Sequence, residues 1–314
     1  MPSRRKLLGD LDVARATLTR AVAELQTEGI LTVRQRDGVF TTARARLATV
    51  AFAQYWEPYN LDPFDLALMS ALTRYGPDYG LFVEIHLLGA YERPDEDRLA
   101  AFHRAVTARR YAGILSMTSR ALSGWRTDLE KLGLPLEFNP VVIDHQSMEE
   151  LGVGLLCQRG CSRIGFLGHA DESNALGEAR FREALDRHGL TFHPEWYVVA
   201  PMAVPLELMG YRNFLAQWKA WKVKPDAMVS DNDHITQGML YAVRDLGIAI
   251  PGDLQIATHA NRGLSQFICS DIVRLEVDVV QAAQLMLERL RDRINGVGGP
   301  EPTILRLEWA EDKK

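Results

Sequence analysis

The sequence predicts an α/β protein in two parts: a small head of two helices and a β-hairpin, then a large body of alternating strands and helices. Three observations predict this. Helix, turn and hairpin signals follow one another closely in the first forty-odd residues. From residue 47 onward, apolar strand-like runs alternate with amphipathic helices, the pattern of a largely parallel sheet covered on both faces. The charge is also split. Residues 1–46 hold nine Lys/Arg against five Asp/Glu, a net +4, while the whole chain carries −5, which leaves −9 for the body. A basic head on an acidic body suits a nucleic-acid-binding module joined to a body with another task.

The totals agree with two soluble parts. A length of 314 residues fits about two domains. Hydrophobic residues at 47% and charged residues at 25% supply an ordinary core and surface. No apolar run nears the ~18–20 residues that span a bilayer, and no apolar segment follows the basic start, so neither a membrane partner nor a secretory leader is expected and the location expected is cytoplasmic. Cys157, Cys161 and Cys269 are an odd set without zinc spacing, which predicts reduced thiols rather than a disulfide framework.

In the head, residues 3–11 read as a short helix with Ser3 as candidate N-cap. Asp12, Val13 and Ala14 form a tight turn. The second helix is expected over about 15–28, where Leu18, Ala21, Val22 and Leu25 fall on one face, and Gly29 suits its left-handed C-terminal cap. Residues 32–35 and 39–42 read as strands around the turn Arg36-Asp37-Gly38. Helix, tight turn, helix and basic hairpin make a winged helix-turn-helix, whose second helix enters the major groove of DNA. Arg15, Thr17 and Thr19 would then lie near base edges, with Arg20 one turn on, and Arg5, Arg34 and Arg36 near phosphates or the minor groove.

The stretches Met1-Pro2-Ser3-Arg4-Arg5-Lys6-Leu7-Leu8, Val13-Ala14-Arg15-Ala16-Thr17-Leu18-Thr19-Arg20-Ala21-Val22 and Arg34-Gln35-Arg36-Asp37-Gly38-Val39-Phe40 resemble the winged helix of the gluconate-repressor (GntR) family. The resemblance implies DNA contacts by Arg5, Arg15, Thr17 and Gly38. Ala14 stands where that family has a Ser or Thr cap, Thr19 where an Arg is common, and Arg36 at the first wing glycine. The helix that precedes this pattern in the family is missing from the chain, so a truncated head is expected. The head is assigned to residues 1–42 and a linker to 43–46.

In the body, strands are expected at 48–53, 80–85, 113–117, 140–143, 163–167, 196–199, 227–230, 254–258 and 303–308. Helices are expected at 65–74, 95–108, 122–131, 147–159, 175–187, 206–219, 234–246 and 279–293. Alternation alone leaves one large sheet, a barrel or two lobes open. The motifs narrow the choice. Arg159-Gly160-Cys161-Ser162-Arg163-Ile164-Gly165-Phe166-Leu167-Gly168, the Phe181–Leu185 helix segment with His188-Gly189-Leu190, and Pro225-Asp226-Ala227-Met228-Val229-Ser230-Asp231-Asn232-Asp233 resemble the effector domain of the lactose-repressor (LacI/GalR) family. So do Gly238 and the run from Leu246 to Leu254 that follow. This resemblance implies a two-lobed periplasmic-binding-protein-like fold over 47–314, with lobe one near 47–144 and 276–295 and lobe two near 145–275 and 303–308. The pairing of head and body is similar to that of the arabinose-repressor subgroup.

An effector would bind at the C-terminal ends of the strands, between the lobes. Gln54, Tyr55, Trp56 and Tyr59 follow the first strand, and aromatics with an amide suit a sugar-like ligand; ordinary core aromatics are the alternative. Asn232 and Asp233 are implied as ligand contacts, with Asp233 serving equally as a helix cap. Ala260 and Gly177 stand where that family commonly has an Asp and an Arg, which leaves His259, Asn261 and Arg180 as substitutes. The function expected is a ligand-responsive transcription regulator, a repressor, working as a homodimer on operator DNA. A solute-binding protein or a sensor that has lost DNA binding is the alternative. No metal triad, nucleophile elbow or phosphate loop supports an enzyme, and no cofactor or metal is expected.

Overall fold

The computed structural model describes residues 4–34, 38–55, 63–90, 93–117, 126–170, 174–201, 205–264, 271–299 and 301–310. By internal contacts the chain divides into two compact units. Unit 1 is Met1–Glu57, Met69–Pro140 and Ala283–Pro300; unit 2 is Pro58–Leu68, Val141–Ala282 and Glu301–Lys314.

Unit 1 begins with α1 (Arg4–Leu11) and α2 (Arg15–Thr27), then β1 (Leu31–Arg34) and β2 (Gly38–Thr41), which pair antiparallel. Asp12 takes the left-handed conformation between the helices, at φ 48°. Ala14, at the N-cap of α2, makes no side-chain cap bond. The other end is closed fully. Gly29 has φ 71°, its N–H donates to Gln26 O and that of Ile30 to Leu25 O, the paired bonds of a Schellman cap. Leu18, Val22 and Leu31 form the buried centre, flanked by Leu7, Leu8, Val13, Leu25, Ile30 and Val39.

A 3-10 turn over Ala43–Arg46 leads to β3 (Ala48–Gln54). Then come α3 (Pro63–Tyr75), β4 (Leu81–Leu87), the short pair β5 (Gly89–Ala90) and β6 (Arg93–Pro94), α4 (Glu96–Thr107), β7 (Ile114–Ser116), α5 (Arg126–Lys131) and β8 (Leu136–Phe138). Strands β4, β3, β7 and β8 form a parallel sheet in that order. Ala51, Ala53, Phe102, Val106, Tyr111, Ile114 and Leu129 are buried between this sheet and its helices. The expected strands omit β8, whose short Leu-Glu-Phe run hides a charge. Glu137 is buried there because Arg289 and Arg293 pair with it, at 3.3 and 2.8 Å.

Unit 2 follows with β9 (Val141–Ile143), α6 (His145–Gln158), β10 (Ile164–Ala170), α7 (Asn174–Arg187), β11 (Tyr197–Pro201) and α8 (Leu206–Ala220). It continues with β12 (Ala227–Ser230), α9 (Asp233–Asp245), β13 (Gln255–Asn261), β14 (Val273–Val277) and α10 (Val279–Ile294). The last strands are β15 (Thr303–Leu305) and β16 (Glu308–Ala310). The sheet order is β11-β10-β12-β13-β14-β16, parallel except for β16. The single strand expected at 303–308 is two: β15 pairs with β9, and after a break at Arg306 and Leu307 β16 pairs antiparallel with β14. Strand β14 was not anticipated, because its alternating Val-Arg-Leu-Glu-Val reads as half exposed. The unit division falls inside α10, at Ala282 and Ala283, rather than near residue 276.

Helices α8 and α9 lie backbone to backbone on one face of the unit 2 sheet. A Cβ at Gly238 would collide with Glu207 O, and one at Gly210 with Ile235 O, so only glycine allows this approach. Phe214, Trp196, Met228, Ile235 and Met239 fill the core beneath them. Among the described residues, no helix is long and apolar enough to cross a membrane.

Candidate functional site

The head presents exposed polar side chains on α2. Arg15, Thr17, Thr19 and Arg20 are exposed on α2, whose Leu18 and Val22 are buried. The Thr19 hydroxyl donates to Arg15 O at 2.8 Å, and Arg20 lies 3.7 Å from Glu24. Arg5 lies in α1, Arg34 ends β1 and Gly38 starts β2; Arg36 falls outside the described residues.

The head is tied to the sheet of unit 1 by charge. The Arg44 guanidinium sits 3.5 Å from the centre of the Phe82 ring and 3.4 Å from Glu84 Oε1. Glu84 also accepts from Arg110 at 3.0 Å and from the Tyr111 hydroxyl at 3.2 Å, and Arg110 reaches Glu28, just past α2, at 3.7 Å. The Tyr111 hydroxyl lies 2.8 Å from His86 Nε2. Burial, then the Glu84 charge, raises the Tyr111 hydroxyl pKa; burial lowers that of His86. A cavity of about 510 Å³ lies along this edge, lined by Glu84, His86, Arg98, Phe102, Arg110 and Tyr111 among others.

The polar residues of unit 2 gather at the C-terminal edge of its sheet. His169 stands near the end of β10, Asp231, Asn232 and Asp233 follow β12, and His259 and Asn261 close β13. Asn232, expected at the ligand, is the N-cap of α9: its side chain accepts from the N–H groups of His234 and Ile235, at 2.9 and 3.2 Å. Asp233 accepts from the Asn261 amide at 3.2 Å. His259 and Asn261 are both buried. In unit 1, Gln54 ends β3 half-buried, and Tyr55 packs against the core of that unit; Trp56 and Tyr59 fall outside the described residues.

The sequence reading missed part of this edge. Glu149 on α6 is 4% exposed, and its Oε2 lies 3.3 Å from Arg180 Nε on α7. Burial raises the Glu149 carboxyl to about 7, against the opposing pull of Arg180. The same burial, reinforced by Glu149 and Asp231, raises the Tyr197 hydroxyl. Glu149 sits at a helix position that reads as surface, so only packing reveals it. Cys157 and Cys161 are free thiols, and burial pushes Cys161 up to about 11, which marks it as an inert thiol. No group of three or more metal-ligating side chains occurs among the described residues.

Residues 153–310, half of the chain, match the family model described as periplasmic binding protein-like domain. The chain belongs to the periplasmic binding protein-like family. It is 22% identical over 224 residues to the HTH-type transcriptional repressor PurR of Vibrio vulnificus, covering 65% of this chain and 64% of that one. It is 24% identical over 159 residues to the NTD biosynthesis operon regulator NtdR of Bacillus subtilis, covering 50% and 47%. The chain thus spans about half the length of several curated relatives it matches. Among solved structures, a putative transcriptional regulator LacI from Bacillus cereus subsp. cytotoxis superposes with a TM-score of 0.68 at 16% identity, covering 84% of this chain and 96% of that one. The Escherichia coli transcriptional repressor ascG gives 0.66 at 15%, covering 84% and 97%. These likenesses establish the fold of a periplasmic-binding-protein-like body.

Proposed function

We propose that this protein is a ligand-responsive transcription regulator of the LacI/GalR kind with a winged head of the GntR type. The observation that carries the reading is the exposure of Arg15, Thr17, Thr19 and Arg20 in the first half of α2, set on a helix-turn-helix and hairpin that precede a periplasmic-binding-protein-like body. Arg15 and Thr17, in the first turn of α2, are at the end of a recognition helix that meets base edges. The polar edge of the unit 2 sheet is where open α/β sheets bind ligands. A homodimer would present two heads to a two-fold-related operator. An effector that prefers one arrangement of the body would shift the fraction of DNA-competent molecules by its differential affinity. The names of the relatives, which include repressors and operon regulators, support a regulatory role.

The test is fluorescence anisotropy of the full chain with DNA from upstream of its own gene, against shuffled DNA, across a salt series. The expected result is preference for the upstream sequence, with affinity falling steeply as salt rises. Equal binding to both sequences at every salt concentration overturns the reading and leaves a sensor without DNA recognition.

A further inference from the structure

We propose that Asp231 is the charge anchor of the effector edge in unit 2, and that the effector it selects carries a protonated amine. The inference rests on the ligand-responsive reading above and names the ligand class. Asp231 follows β12, between the ends of β10 and β13. Its Oδ2 is held from one side only: it accepts from the His169 backbone N–H at 3.2 Å and lies 3.1 Å from His169 Nδ1. Gly168 makes room for this approach, because a Cβ there would collide with the Asp231 carboxylate.

The other oxygen, Oδ1, is buried and has no hydrogen-bond partner among the described residues. A buried carboxylate oxygen without a donor carries an uncompensated desolvation cost, so a water, an ion or a ligand is expected to meet it. The side chain as a whole is 14% exposed.

Besides His169, which faces Oδ2, the cations Arg180 and Arg262 pair with other carboxylates. Arg180 is committed to Glu149 at 3.3 Å. Arg262 is committed to Glu276, Asp278 and Glu308, at 3.5, 3.0 and 2.6 Å. Ala260, on the adjacent strand, and Gly177, on α7, bring no charge; a Cβ at Gly177 would lie 3.1 Å from Tyr197 Oη and 3.9 Å from Glu149 Oε1. A hydroxyl would satisfy Oδ1 but leave the charge. An ammonium does both, and a charge-assisted bond is roughly twice as strong as a neutral one.

The experiment is calorimetric titration of the full chain with D-glucosamine, D-galactosamine, D-mannosamine and putrescine, each beside its fully N-acetylated form, which for putrescine is N,N′-diacetylputrescine. The neutral hexoses and D-glucuronate complete the panel. At least one amine is expected to bind ten times more tightly than its N-acetylated and neutral counterparts, and Asp231→Asn to weaken that amine at least tenfold. The comparison of each amine with its acetylated form uses the unaltered chain, so it decides the matter even where Asp231→Asn fails to fold. No binding by any of the amines, equal binding by an uncharged or anionic counterpart, or undiminished binding by a folded Asp231→Asn overturns the inference. DNA binding is read separately: a chain that binds DNA but no amine overturns this inference alone, and one that binds an amine but no DNA overturns the regulator reading alone.

Discussion

The head and unit 2 solve the same problem with different means. Among the described residues of the head, Leu18, Val22 and Leu31 are buried, and Leu11, Val33 and Phe40 stay exposed. Unit 2 closes a six-stranded sheet under two layers of helices, with Phe214, Trp196, Met228, Ile235 and Met239 sealed between them. At about 1.5–3 kcal/mol for each buried apolar side chain, the head has a thin core for the residues it must order. It compensates with charge, through Arg44 on Phe82 and Glu84 and through Arg110 bridging Glu84 and Glu28. A part held by a thin core and a polar joint can move or melt by itself, whereas a part sealed by a thick core melts as one.

Truncation in each part breaks this comparison most directly. Phe214→Ala removes a ring that is 1% exposed and should cost about 3–5 kcal/mol. Its mark is a lower melting temperature of the body with α2 unaltered; a simultaneous loss of amide protection in α2 would show that head and body melt as one. Leu18→Ala should cost about 2–5 kcal/mol, enough to unfold the head alone. Proteolysis within residues 1–46 under conditions where the body resists is the measurement, and an intact head would mean that the core of the head is thicker than its buried residues indicate.

Arg15→Ala should leave stability unchanged and weaken specific DNA binding by about 1–3 kcal/mol if Arg15 meets a base edge with two bonds. Equal anisotropy curves for variant and parent would remove Arg15 from the recognition set. Glu149 gives a pH test confined to unit 2. Burial raises its folded-state carboxyl to about 7 from an ordinary value of 4.5. The folded protein therefore keeps a proton that the unfolded chain releases, so stability falls as pH rises across that window. Glu149→Gln should flatten that slope, by a difference on the order of 1–3 kcal/mol across the window. Parallel denaturation midpoints for the two proteins from pH 4.5 to 7 would contradict it. The smallest effect belongs to the joint: Arg44→Ala should loosen the head by about 0.5–1 kcal/mol, seen as faster hydrogen exchange in α2 with no change in unit 2.

Much of the fold could be read from local signals, and the reasons are physical. The expected helix over 234–246 matches α9 within a residue at each end, because its apolar face and the turn at Leu246-Gly247 are both local. Strand 227–230 matches β12 for a similar reason: four consecutive apolar or small residues are buried on both faces. The misses are nonlocal. β8 and β14 each carry a glutamate: the partners of Glu137, Arg289 and Arg293, are distant in the chain, and Glu276 pairs with Arg274 on its own strand and with Arg262 just past β13. The break at Arg306 and Leu307 depends on two different sheet edges offering partners. For the candidate site, the edge was legible as a place, through Asn232, Asp233, His259 and Asn261, but the roles within it were not. Asn232 turned out to cap α9, and Glu149 and Asp231 came forward only when helix and strand ends were packed together.

The sequence by itself determined most of the helices and the longer buried strands, the helix-turn-helix with its hairpin, the basic character of the head and the alternation that builds parallel sheets. Each of these follows from periodicity, turn chemistry and charge over a few residues. Tertiary structure alone decided which strands pair, how the last strand divides between two partners, and which carboxylates are buried. Strand pairing and burial depend on groups far apart in the chain, and a carboxylate shows its charge state and its unused oxygen only where distant helices and strands enclose it.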